Sequence, residues 1–346
     1  MNTTPNQPTP PADLPLTKEL ISRALVYLDS AALGVAARLG VADHLSGQPR
    51  TATELAALVE VDAAFLQRVL QLLTSRGIFR EDWQQRFHLT PLARLLVSDA
   101  PHSLRDAVTM LTADYFWRPA GRMADAVGKG HSVFAEIFDA PFFDHLTEHP
   151  TIGAGFHLGM ANYSRSTDQI VADTFPFPET GTVVDVGGGH GGLLRAVLAG
   201  NPGLTGILYD QDEVLRDHVL DRPETTGRWR TVSGDFFASA PEGADIYLLK
   251  HIVHDWSDDK AELILRSCRR AMPDHARVLV VDAVVPPPNV THYGRTLDLL
   301  MMSVFNGRER SEEEFDALFR KAGLKLARVL PTAGFEELSI IEAVAL

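Results

Sequence analysis

Gly181-Thr-Val-Val-Asp-Val-Gly-Gly-Gly-His-Gly-Gly-Leu-Leu194 decides how the chain is read. Thr182 to Val186 is β-branched and apolar apart from Asp185, the composition of a parallel strand covered on both faces. The glycines from Gly187 to Gly192 allow a tight turn and bring backbone N–H groups close to a ligand. Leu193, Leu194, Val197 and Leu198 then open a helix that stops near Gly200-Asn-Pro-Gly203. Such a strand–glycine–helix unit holds a nucleotide-like ligand at the carboxyl end of a sheet. The glycine spacing fits G-x-G-x-x-G, so NAD is a candidate. The next strand, Gly206-Ile-Leu-Tyr-Asp210, ends in an acid able to bind the ribose of NAD or of S-adenosylmethionine. The turn alone leaves both open.

The strand pattern repeats downstream at Val183–Val186, Ile207–Asp210, Trp229–Val232, Ile246–Leu249 and Val278–Val281, with helices between. That alternation predicts an α/β fold with a mostly parallel, doubly wound sheet. Two further β-type runs, Lys325–Leu330 and Ser339–Val344, lie too close for a crossover and predict an antiparallel hairpin. A parallel sheet finished this way is more typical of methyltransferases than of NAD domains.

Upstream, Thr17 to Leu45 has helical periodicity, with small residues from Ala31 to Ala37 that admit a close helix neighbour. Thr51 and Glu54 form a capping box, Asp62 caps a longer helix ended by Gly77, and Ile78–Arg80 with Arg86–Thr90 predicts a hairpin. Helix–turn–helix plus hairpin is a winged-helix pattern. The presumptive recognition helix offers only Arg68 and Arg76, too few for base and phosphate contacts, so packing or dimerisation is favoured over DNA binding. Pro91 to Asp173 is helical with interruptions and dense in aromatic residues: Tyr115, Phe116, Trp117, Phe134, Phe138, Phe142, Phe143, Phe156 and Tyr163. Core packing accounts for most of these, yet their density suits a pocket for a flat apolar substrate.

The formal charge of −13 over 346 residues argues against a nucleic-acid partner. No run of about 18 apolar residues is present, so no membrane span is expected. Met1 to Pro15 reads as a disordered tail and not a signal peptide, and the single Cys268 leaves no cysteine-based zinc site. His145 and His149 lack an acidic third ligand, so no metal is expected there. A cytoplasmic enzyme is the economical expectation. The domains are then a tail (1–15), a winged-helix-like domain (16–98), a helical substrate-pocket region (99–173) and a cofactor domain (174–346).

Four segments then occur in order: Asp185-Val-Gly-Gly-Gly-His-Gly191, Gly234-Asp-Phe-Phe237, Leu249-Lys-His-Ile-Val-His-Asp-Trp-Ser257 and Asn306-Gly-Arg-Glu-Arg-Ser-Glu-Glu-Glu-Phe315. Together they resemble the S-adenosylmethionine-dependent O-methyltransferases of the plant caffeate and bacterial polyketide-tailoring type, along nearly the whole chain. The resemblance implies a Rossmann-like methyltransferase domain behind a winged-helix dimerisation domain, a homodimer, S-adenosylmethionine as cofactor with S-adenosylhomocysteine as product, and no metal. It implies that Gly187 backs the amino-acid end of the cofactor and Ser164 lies near its carboxylate. Asp210 would hold the ribose, and Asp235 and Phe236 would flank the adenine with Lys250 beside it. His254 would be the general base, oriented by Asp282 and Glu309, with Asp255 facing the site.

The chemistry agrees with those roles. A phenol of pKa near 10 is a poor nucleophile at neutral pH, and an imidazole within reach removes its proton. Three features depart from the family pattern. Tyr209-Asp-Gln-Asp-Glu213 replaces the usual Asp-Leu-Pro; Asp282 replaces a glutamate, shortening its reach to His254; Asn306 stands where glycine is common, to contact substrate or cap the loop. Trp117, Phe138, Phe142, Met160, Met301 and Met302 are the expected walls for a small aromatic, natural-product substrate. Rival readings are N-methylation of a heteroaromatic, a same-fold hydroxylase, decarboxylase or cyclase, and a cofactor-sensing regulator.

Overall fold

The computed structural model describes residues 14–346, in two compact units, a first ending at Thr112 and a second, Ala113–Leu346. The cut falls inside the stretch 99–173 that the sequence reading ran as one region, because helix α6 below belongs to the first unit. The tail expectation lies outside the described residues except at Leu14 and Pro15, which begin a helix.

The first unit contains α1 (Leu14–Ala24), α2 (Tyr27–Arg38), α3 (Val41–Leu45), β1 (Arg50–Thr51), α4 (Ala52–Val59), α5 (Ala63–Ser75), β2 (Phe79–Glu81), β3 (Arg86–Leu89) and α6 (Arg105–Leu111). The continuous periodicity of Thr17 to Leu45 thus breaks into three helices. The chain bends by 42° between α1 and α2. It breaks again at Gly40, whose φ of 63° is costly for any residue with a side chain. The caps at Thr51 and Asp62 form, and the hairpin β2–β3 gains β1 as a third strand. Leu55, Leu70, Leu73, Phe79 and Phe87 fill the core of this unit. Arg68 of α5 and Arg76 at its C-cap are both engaged, Arg76 with Asp29 at 2.9 Å and Arg68 over the Phe65 ring. No single helix among the described residues is long and apolar enough to cross a membrane.

The second unit opens with α7 (Asp114–Gly121), α8 (Met123–Lys129), α9 (Phe134–Phe138), α10 (Phe142–Glu148) and the long α11 (Pro150–Thr174). The sheet domain follows: β4 (Gly181–Val186), α12 (Gly192–Gly200), β5 (Leu204–Asp210), α13 (Asp212–Leu215), β6 (Trp229–Ser233), β7 (Ile246–Lys250), α14 (Asp258–Ala271) and β8 (Arg277–Ala283). Then come α15 (Gly294–Val304), α16 (Glu312–Lys321), β9 (Leu324–Pro331) and β10 (Leu338–Ala345). The strand order is β6-β5-β4-β7-β8-β10-β9, parallel except that β10 runs antiparallel to both β8 and β9. The expected hairpin exists, with β10 inserted next to the parallel strands.

Alternate strand residues enter the two faces. Tyr247 and Leu249 join the cluster under α14 and α16, whereas Ile246 and Leu248 join the one under α11 and α12. Strand order reverses between β4 and β7, so the crevice of the fold opens beyond Val186 and Lys250.

Candidate active site

At that crevice the glycine turn is built for close approach. Gly187 has φ 67°, and a Cβ there would meet Ile252 Cδ1 at 2.5 Å and Phe236 Cε1 at 3.4 Å. Asp210, at the end of β5, accepts from the Gly189 N–H at 2.8 Å and from the Gln211 N–H at 2.7 Å. Burial raises its carboxyl above the ordinary range, and these two bonds work against that rise. Asp235 accepts from the Phe237 N–H at 2.9 Å, which leaves the Phe236 ring against Phe237 and Trp256 at 4.9 and 6.2 Å.

Lys250 stands at the carboxyl end of β7. By strand alternation it faces α11 and α12, the opposite face of the sheet from the Phe236–Phe237–Trp256 group, and its ammonium pairs with Asp168 of α11. Asp168 was not singled out from the sequence; its one signal is an acid set between the core-facing Thr167 and Val171. Ser164 lies one turn earlier on the same face. Beneath them Asp185 is fully buried, its carboxyl pushed up to about 7 by burial first and Asp168 second, with Lys250 opposing.

His254 sits in a 3-10 turn, Val253–Asp255, only 4% exposed. Its Nδ1 lies 2.7 Å from Glu309 Oε1, a bond that fixes the ring and directs Nε2 away from it. Asp282 is 4.0 Å from Nδ1, beyond hydrogen-bond reach, and instead accepts the His251 N–H at 3.1 Å. The expected pair of orienting carboxylates is therefore one direct partner and one charge at a distance; the aspartate is too short to be the second partner. Asp255 Oδ1 lies 3.5 Å from Nε2. Burial lowers the basicity of His254, but Glu309, Asp282 and Asp255 together outweigh it and raise the imidazole to about 10. Asp255 is pushed up to about 7, by burial before all else.

The segment after α15 carries Glu309 to the base. The Arg308 N–H donates to His254 O at 2.8 Å, and Glu309 N–H to Asp298 at 2.9 Å. Arg310, 1% exposed, donates to Val253 O, Trp256 O and Asp258, so one guanidinium staples both ends of the histidine turn. Gly307 lies flat on that turn: a Cβ there would come within 2.0 Å of His254 O. Ser311 and Glu314 form the expected capping box behind it. Neither Arg310 nor Gly307 was singled out from the sequence, although both stand within the quoted motif.

The aromatic residues divide by burial. Phe142 touches Tyr115, Phe116, Phe134, Phe156 and Phe305 and is 3% exposed, so it is a core residue more than a wall. Met301 is likewise buried, while Trp117, Phe138, Met160 and Met302 keep partial exposure. Phe143 stacks on Trp256 at 5.4 Å and joins α10 to the histidine segment. Asn306, at φ 62°, accepts the Ser132 N–H and so ties α15 to the chain before α9, the loop-capping alternative. His149 Nδ1 bonds to His145 O. Donor atoms of His251, His254 and Asp282 lie within 4.8 Å of one another, a spacing open to a cation, though Glu309 holds His254 Nδ1.

Comparison with known proteins follows this geometry. Residues 121–325 match the model of the O-methyltransferase domain, and residues 22–99 that of the O-methyltransferase dimerisation domain. The phenazine O-methyltransferase PhzM of Lysobacter antibioticus is 37% identical over 332 residues, covering 95% of this chain and 96% of that protein. The S-adenosylhomocysteine-bound structure of CalO1, a methyltransferase of calicheamicin biosynthesis, is 42% identical with a TM-score of 0.85, covering 97% of this chain and 100% of that one. An O-methyltransferase of neocarzinostatin biosynthesis, solved with S-adenosylmethionine and 2-hydroxy-5-methyl naphthoic acid, is 32% identical with a TM-score of 0.80, covering 92% and 96%.

Proposed function

The chain belongs to the S-adenosylmethionine-dependent O-methyltransferases, and on that premise we propose that it methylates a hydroxyl of a small aromatic natural product with His254 as general base. The observation that carries this reading is the His254–Glu309 pair at 2.7 Å, set beside the crevice of the sheet with Nε2 left for an acceptor.

The residues fit the cofactor. Gly187 leaves backbone where a side chain would collide, Asp210 is an acid at the end of the second strand, and Phe236 offers a ring face next to the turn. Ser164, Asp235 and the Lys250–Asp168 pair complete the proposed set, with Lys250 serving the α11 side of the site. Bound there, S-adenosylmethionine supplies a methyl group already activated on a sulfonium.

The protein's own part is proton removal and positioning. His254 Nε2 takes the hydroxyl proton; Glu309 accepts from Nδ1 and stabilises the imidazolium, and Asp282 and Asp255 add negative potential. A base near 10 matches a phenol near 10, so the shared proton moves with little driving force lost in either direction. No step in this scheme uses a metal, so exhaustive chelation is expected to leave kcat unchanged. A loss of activity restored by a divalent cation would assign the His251–His254–Asp282 group to that ion.

The dimerisation-domain match supports a homodimer. The test of function is transfer of labelled methyl to a phenol panel. Label in a methyl ether supports O-methylation; label on a ring nitrogen, or none despite cofactor binding, contradicts it.

A further inference from the structure

Around the base, buried polar atoms are left over. Four of the seven buried side-chain atoms without a hydrogen-bond partner among the described residues fall in this one place: His251 Nε2, Asp282 Oδ2, Glu309 Oε2 and Glu336 Oε1. Buried polar groups are nearly always paired, so such a cluster marks a place for water or for an ion. His251 Nε2 and Glu336 Oε1 lie 3.3 Å apart but are not aligned for a hydrogen bond.

The charges choose between water and an ion. Asp255, Asp282, Glu309 and Glu336 each lie within 4.0 Å of an imidazole nitrogen of His251 or His254. All six groups are at most 9% exposed. The neighbouring cations are committed elsewhere, Lys250 to Asp168 and Arg310 to Val253 O, Trp256 O and Asp258. Buried carboxylates in excess of their partners call for a cation.

Three donors are spaced for a metal. One ring nitrogen of His251, one of His254 and one oxygen of Asp282 lie within 4.8 Å of one another, and His254 Nδ1 is 4.0 Å from Asp282 Oδ1. Ligands on a tetrahedral zinc stand about 3.4 Å apart, so small side-chain rotations close the set. Two imidazoles and a carboxylate suit zinc and its neighbours, whereas magnesium and calcium prefer oxygen ligands.

We propose that His251, His254 and Asp282 form an inhibitory site for a zinc-class divalent cation, with His254 coordinating through Nδ1. This rests on the methyltransferase reading above. The ion takes Nδ1 from Glu309, the Nδ1 proton leaves to solvent, and the ring's remaining proton is confined to Nε2. Nε2 is then a donor where the reaction needs an acceptor, so the signature is a fall in kcat without a change in KM.

The experiment titrates zinc chloride into the full-length protein after a chelator has stripped it. Calorimetry is expected to show a zinc site that His251→Asn weakens by about tenfold or more. Asparagine is chosen because it tolerates the φ of 56° at this position. In the wild type, kcat for phenol methylation is expected to fall in step with zinc occupancy, and magnesium at the same concentration to do nothing. His251→Asn is expected to need about tenfold more zinc for half inhibition. Each protein is judged against its own zinc-free rate, and binding of S-adenosylhomocysteine confirms that the variant folds. A wild type that binds no zinc overturns the proposal whether or not the variant folds. So does zinc that binds without inhibiting, an adventitious ion only, or that raises KM alone, or that inhibits both proteins equally. A wild type that methylates no phenol sinks the parent reading, and the difference in zinc binding between the two proteins still decides the site.

Discussion

His254 and its three acids set the residue-scale expectations. Glu309 bonds to the ring directly, whereas Asp282 stands at 4.0 Å and serves the His251 backbone. Glu309→Gln is therefore expected to lower kcat by about 10²–10⁴, as losing the tautomer-fixing acid does elsewhere, and Asp282→Asn by clearly less. Steady-state kinetics on the two variants decides, and equal losses would contradict the geometry. The imidazole, raised from 6.5 to about 10, must be neutral to accept a proton. Accordingly, kcat/KM is expected to climb with pH well above 6.5 toward 10, a limb belonging to the coupled His254–Asp255 group. For stability the sign is opposite. A folded-state pKa above the unfolded one stabilises fully below about 6.5, and that contribution is lost as pH rises through about 10. His254 and Glu309 were legible because residue type and motif coincide. Asp168, Glu336 and His251 were not, because their pairing depends on α11 and the β9–β10 turn meeting β7, which no local pattern records.

The element that presents Glu309 depends on two unobtrusive residues. Arg310 is buried with its charge spent on Val253 O, Trp256 O and Asp258. Replacing it by methionine removes those bonds and leaves the Trp256 carbonyl short of a partner, while Asp258 is half-exposed and reaches solvent, so a loss of about 1–3 kcal/mol and of most activity is expected from denaturant titration and assay. Gly307→Ala would press a methyl into the His254 carbonyl, and a variant that folds yet has lost kcat is the expected result. On α11, Asp168→Asn strands Lys250 in a site where its side chain is 8% exposed, again at a cost of about 3–5 kcal/mol. The strands, caps and hairpin were readable from alternation and capping boxes, which are local. The breaks at Gly40 and between α1 and α2 were not, because small and apolar residues continue the helical period across both.

At the scale of the whole molecule, the parallel sheet and its closing hairpin follow from alternation plus one short connection, whereas the order β6-β5-β4-β7-β8-β10-β9 was not read from the sequence, because alternation does not say which strands become neighbours. Partner surfaces are less so. No residue of α1 is buried, and Leu16, Leu20 and Ile21 are 71%, 69% and 56% exposed, with Tyr27 and Leu28 continuing the apolar surface. An apolar run of this extent marks an interface, and with the dimerisation-domain match it supports a homodimer. Sedimentation is expected to give a dimer that Leu20→Asp with Ile21→Glu converts to monomer; a wild-type monomer contradicts this. The central claim is narrower, that an O-methyltransferase works here through His254, and labelled methyl transfer to a phenol panel tests it most directly. The account predicts label in a methyl ether and a rate about 10²–10⁴-fold lower in His254→Ala. A variant that folds, binds the cofactor and transfers methyl at the wild-type rate would contradict it.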